Sequence, residues 1–211
     1  MEIKVSSCNA HVEVEDDNNE QGRIVKDNFE IEVTEFSFGW MNLIFNFNGI
    51  KIPFTASYIG PEPLGSLIKA VKGLEESCDG DKESRYFLSW DREPAWSEIE
   101  IVRNLETDKL KIAINLNADL MEDKESAKIW TIEDLEFSLF KEGVLKCACS
   151  MLQKYGLLGY SMTWDASEGY KFPFDDLLKV LGVEANFDNK TNSYRSDFIN
   201  DFKTIANNFK N

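Results

Sequence analysis

Six apolar side chains arranged around one Asn-Gly pair constrain this chain more than any other feature. The stretch is Leu43-Ile44-Phe45-Asn46-Phe47-Asn48-Gly49-Ile50-Lys51-Ile52-Pro53-Phe54. Asn48-Gly49 has the composition of a two-residue hairpin loop, in which both central residues need φ > 0. A turn there sets Phe47 opposite Ile50, Phe45 opposite Ile52 and Leu43 opposite Phe54. Strand side chains alternate between faces, so all six land on one face, which must then be covered. Pro53 lacks a ladder N–H, so the second strand is expected to have an open side or to end soon after.

The flanking sequence supplies the cover. Upstream, Phe29, Ile31 and Val33 alternate loosely with Glu30, Glu32 and Thr34, which predicts another strand reaching Phe38. Downstream, a turn at Gly60-Pro61-Glu62-Pro63 leads into a helix near 63–76, with Leu64, Leu67, Ile68, Val71 and Leu74 at helical spacing. Strands are expected at Arg85–Trp90, Ser97–Arg103 and Lys109–Leu116. From residue 131 the pattern reads as helical. Thr131-Ile132-Glu133-Asp134 has the form of a capping box, and a polar stripe (Glu136, Glu142, Lys146, Ser150, Gln153, Lys154) leaves the remaining circumference apolar as far as Tyr155. Gly156 and Gly159 are expected to end that helix. A short helix near 174–181 and an amphipathic one through Phe198, Phe202, Ile205 and Phe209 complete the chain.

The expected fold is α+β, a mainly antiparallel sheet from the N-terminal half packed against helices from the C-terminal half. One domain over residues 1–211 is expected, β-rich over 1–116 and helical over 131–211, with no internal repeat or low-complexity linker. No stretch approaches the 18 apolar residues of a membrane span, and no secretory leader stands at the start, so a cytoplasmic protein is expected.

Charge narrows the function classes. The chain has 38 acidic and 23 basic residues, a net of −15, and a single histidine, His11. Residues 1–35 hold ten acidic groups against three basic ones, a net of −7. Such a surface repels nucleic acid and anionic membrane and suits either solubility alone or a cationic protein partner, so charge by itself names no partner. With one histidine, the usual proton-transfer and metal-binding side chain is nearly absent. No glycine-rich phosphate loop, nucleophile elbow or zinc motif occurs, so no catalytic residue, metal or cofactor is assigned. Cys147 and Cys149 are separated by about 200° around a helix, which predicts buried, reduced thiols rather than a shared disulfide or metal.

The densest chemistry is Trp90-Asp91-Arg92-Glu93-Pro94-Ala95-Trp96. Trp90, Asp91, Arg92, Glu93 and Trp96 are the candidate binding residues. If the strand continues, Asp91 and Glu93 share a face and could grip a cation or act as an acid–base pair. The alternative is a loop in which Arg92 neutralises its neighbours and the tryptophans close the edge of the core.

The Trp90-Asp91-x-Glu93-Pro94-x-Trp96 segment, followed by a long helix and then Gly159-Tyr160-x-x-x-Trp164 and Phe172-Pro173-x-x-x-Leu177, resembles poorly characterised bacterial proteins. Some of those families resemble the immunity proteins of polymorphic-toxin systems. The resemblance spans about residues 40–182, and Ala95 stands where those proteins have glycine. It implies a fold and an association with toxins, not a catalytic set. The leading expectation is a non-enzymatic, immunity-like binding protein that neutralises a cationic protein through its acidic surface, of unassigned oligomeric state. A carboxylate-based enzyme, or a small-ligand binder using the Trp90–Trp96 loop, is the alternative.

Overall fold

Asn48 and Gly49 take φ values of 50° and 88°, the left-handed pair that a tight hairpin loop demands. In the computed structural model, which describes residues 2–6, 28–76, 81–93, 95–116, 128–164, 172–182, 186–188 and 193–195, this turn lies among thirteen elements. In chain order these are β1 (Glu2–Ser6), β2 (Phe29–Ser37), β3 (Trp40–Phe47), β4 (Ile50–Ser57), α1 (Pro63–Glu75), β5 (Glu83–Asp91), β6 (Trp96–Asn104), β7 (Lys109–Leu116), β8 (Lys128–Glu136), α2 (Phe137–Trp164), α3 (Phe174–Val180), β9 (Asn186–Asp188) and β10 (Ser193–Arg195).

The α+β class holds, but the strands divide into two main sheets instead of one. β2, β3 and β4 form an antiparallel three-stranded sheet. The β3–β4 register is the one the turn predicts, with Phe47, Phe45 and Leu43 opposite Ile50, Ile52 and Phe54. Five of those six side chains are buried and Ile50 is half-buried. β4 is an edge strand, as Pro53 foretells. The second sheet has the order β1-β8-β7-β6-β5, antiparallel throughout except for β1, which runs parallel to β8. β9 and β10 pair as a short antiparallel ribbon.

Three corrections fall in the C-terminal half. Residues 128–136 are a strand, so Thr131-Ile132-Glu133-Asp134 caps no helix, and α2 begins only at Phe137. The cause is a bulge. Leu110 pairs with Leu135 while Ile112 pairs with Ile132, so β8 carries one extra residue there, and Asp134 takes φ 60°. The bulge turns Ile132 and Leu135, three residues apart, onto the same buried face, and the sequence therefore imitates a helical period. The C-terminal stretch is also not wholly helical, because β9 and β10 lie within it. The helix expected through Phe198–Phe209 lies outside the described residues, as does His11.

α2 breaks at Gly156 (φ 68°, ψ 169°) and resumes as far as Trp164, so Gly156 interrupts the helix without ending it. Ahead of the break α2 packs across β2, and α1 packs on β5, α2 and α3. The inner faces of both sheets and the apolar faces of the helices share one core. At its centre Phe45, Phe54 and Trp90 meet, with ring centroids 4.6 Å apart for Phe45–Phe54 and 5.3 Å for Phe54–Trp90.

Candidate functional site

The Trp90–Trp96 segment folds as a tight hairpin end. Asp91 pairs with Trp96 across β5 and β6, and the Arg92 amide donates to the Ala95 carbonyl at 2.8 Å. Asp91 Oδ1 accepts from the Glu93 amide at 2.9 Å, with Glu93 at φ 32°. The Asp91 carboxylate thus holds the turn, while Glu93 is exposed, so the two acids are not arranged as a convergent pair. Trp90 is fully buried, edge-on to Phe54 and Phe45, and its Nε1 donates to Ser66 Oγ at 3.0 Å. It is a core residue and presents nothing to a partner. Arg92 and Trp96 are half-buried.

Six large apolar side chains that are exposed gather beside this loop, while exposed Phe87 and Ile129 lie on β5 and β8 of the five-stranded sheet. A Cβ at Gly60 would come within 2.9 Å of the Asp91 nitrogen, which sets the turn after β4, with exposed Tyr58 and Ile59, against the loop. A Cβ at Gly39 would lie 2.8 Å from Tyr58 Cβ and 2.9 Å from the Trp164 carbonyl oxygen, and φ there is 78°. Only glycine fits so close an approach at that φ. The Gly39 amide donates to the Thr163 carbonyl at 2.8 Å, bringing the end of α2 to the same place. Met162 and, one turn earlier, Leu158 are exposed there. Phe38, Trp40, Tyr58, Ile59, Leu158 and Met162 therefore collect at one end of the three-stranded sheet.

Phe38 is the outlier among them. It is 93% exposed and takes φ 45°. Phe38-Gly39 and Asn48-Gly49 are the same kind of turn at opposite ends of one sheet. Asn48 suits the left-handed conformation, and its Oδ1 accepts from the Asn28 amide at 2.8 Å. A phenylalanine gains neither a polar contact nor burial in that position.

A buried carboxylate stabilises this end of the molecule. Glu62, 3% exposed, is the N-cap of α1, and its side chain accepts from the amides of Leu64 and Gly65. It also accepts from the Tyr160 hydroxyl. Tyr160 stacks on Phe36 at 4.7 Å and meets Phe172 edge-on at 5.2 Å. The start of α1 is thereby tied to the part of α2 that carries Leu158 and Met162. The Pro-Glu-Pro sequence marked the helix start, but nothing in it indicated a tyrosine partner 98 residues away.

Cys147 and Cys149 are free and buried, as helix geometry predicts. Burial, with the Glu62 and Cys149 charges adding to it, pushes the Cys147 thiol up to about 12. Burial pushes Cys149 up to about 11. Both are poor nucleophiles near neutrality. Among the described residues, no group of three or more His, Cys, Asp or Glu could hold a metal ion, and no helix is long and apolar enough to cross a membrane. No family model, curated protein or solved structure matches the chain.

Proposed function

We propose that this chain is a non-enzymatic protein-binding module that neutralises a cationic protein partner, in the manner of an immunity protein against a toxin. One observation carries the reading. Phe38 is held almost fully exposed in a backbone conformation that disfavours it, at the end of the three-stranded sheet where Trp40, Tyr58, Ile59, Leu158 and Met162 are also exposed. Backbone strain at an exposed aromatic points to a function beyond stability. Clusters of this kind supply the few residues that dominate binding energy. The net charge of −15 selects a basic partner and speeds its encounter. The resemblance to immunity proteins gives the sharper form, in which the partner is a toxin. The anchor proposed here is the Phe38 cluster beside the Trp90–Trp96 loop, with half-buried Trp96 at its border.

Affinity capture from the native cytosol, with wild type and Phe38→Asn as parallel baits, tests the reading. The wild type should retain a basic protein that high salt releases, and the variant should lose it while remaining folded. Equal retention by both baits, or no basic protein on the wild type, overturns it.

A further inference from the structure

β2 is an edge strand of the three-stranded sheet, and a groove of about 760 Å³ runs along it against α2. The β2 wall of the groove is six consecutive residues, Asn28 to Val33. A sheet face contributes alternate residues to a cavity, so an unbroken run means that the strand edge itself is the wall. Among the described residues no strand pairs with that edge, whose outward N–H and C=O groups are a template for an added strand. The bulge between Val33 and Glu35 limits the template to the stretch before it.

The two sides of the groove differ in character. Half-buried Ile31, Val33 and Leu139 and buried Met151 give it an apolar strip, which Glu142, Lys146, Ser150 and Lys154 of α2 flank. Gly143 lets the helix press close, since a Cβ there would meet the Phe29 ring at 2.9 Å. On the outer side stand the exposed carboxylates of Glu30 and Glu32, which have no ion pair among the described residues. The cations on the helix side are already engaged. Lys146 pairs with Glu142 at 2.6 Å, and Lys154 lies over the Tyr155 ring.

We infer that the β2 edge binds an extended, basic segment of a partner protein by strand addition, with apolar residues directed at α2 alternating with lysine or arginine beside Glu30 and Glu32. The inference rests on the protein-binding reading above and adds the form in which the partner docks. Main-chain pairing gives affinity and the alternating side chains give specificity. Charge selects the occupant. A second copy of β2, or the acid-rich sequence Glu13–Glu20 of this chain, would set like charges side by side, which is destabilising.

The probe is a capped heptapeptide alternating lysine and valine, compared with one of the same composition in two blocks and one alternating glutamate and valine. Binding is read by fluorescence anisotropy, and the site by amide hydrogen exchange of the full chain. The alternating basic peptide should bind about tenfold or more tighter than either control and should slow exchange across residues 29–33. Glu30→Lys/Glu32→Lys, a change of two exposed side chains, should abolish this with the melting temperature unchanged. Equal binding of the blocked and alternating peptides, or slowed exchange only elsewhere, overturns the inference. So does slow exchange of the whole β2 edge in the free protein at low micromolar concentration, which would mean that another copy or this chain's own residues cover it. A basic partner lost by Phe38→Asn yet kept by the double charge variant overturns strand addition and leaves the binding reading intact.

Discussion

Phe38, in the turn between β2 and β3, and Phe45, within β3, have opposite energetic roles. Phe45 is fully buried against Phe29, Phe54 and Trp90. Phe45→Ala should cost about 3–5 kcal/mol, from lost transfer energy plus the cavity left behind; urea midpoints at constant slope measure it. Phe38 buries almost nothing and sits at φ 45°, so Phe38→Asn should stabilise the fold by about 1 kcal/mol. In a chain of this length that is roughly 2–4 °C in Tm. A fall in Tm would show that Phe38 packs in solution. The two thiols make a separate prediction. The ordinary thiol value is 9.0, and folding raises Cys147 to about 12 and Cys149 to about 11. Above pH 9 the unfolded chain loses these protons while the folded one keeps them, so stability must fall as pH rises towards 11–12. Below pH 9 the thiols contribute no slope. Cys147→Ala should flatten the alkaline decline relative to wild type.

At the scale of elements, what the sequence revealed depended on whether local chemistry and tertiary packing agreed. The Asn48-Gly49 hairpin was legible because turn preference and alternation pointed the same way. The strand at 128–136 was hidden because its bulge puts Ile132 and Leu135 at a helix-like spacing. The bulge in β2 works alike. It places Val33 opposite Leu43 and Phe36 opposite Met41, which is why alternation there looks loose. The candidate site was harder to find. Trp90 stands in sequence within an aromatic, charged loop, yet the strand period sets it inward beside Leu88. Phe38-Gly39 carries no turn signal because phenylalanine is a poor residue for φ > 0. The Glu62–Tyr160 contact joins distant elements and leaves no local pattern. Tyr160→Phe should cost about 1.5–3 kcal/mol, the value of a hydrogen bond to a charged group. Glu62→Ala should cost about 2–4 kcal/mol, because it also removes the α1 cap. The double variant should cost less than the sum, and strict additivity in a double-mutant cycle would mean that the two do not interact.

Under the binding role proposed above, the net charge of −15 and the apolar cluster at one end have different kinetic roles. Raising ionic strength from 0.1 M to 1 M shortens the Debye length from about 10 Å to 3 Å. Association with a basic partner should then slow by an order of magnitude or more while dissociation changes little. Phe38→Asn should do the reverse, raising the dissociation rate and sparing association. Stopped-flow measurements on both proteins separate the effects, and a salt-insensitive association rate would remove charge as the steering element.

The parallel pairing of β1 with β8, Glu2 against Ile129 through Ser6 against Glu133, has a consequence for biosynthesis. β5, β6 and β7 can zip through successive hairpins as they emerge from the ribosome, but β1 must wait until β8 has been made. Of these five strands, the first to be translated is therefore the last to be seated. Until then, the strand and the edge that receives it are both open to chaperones.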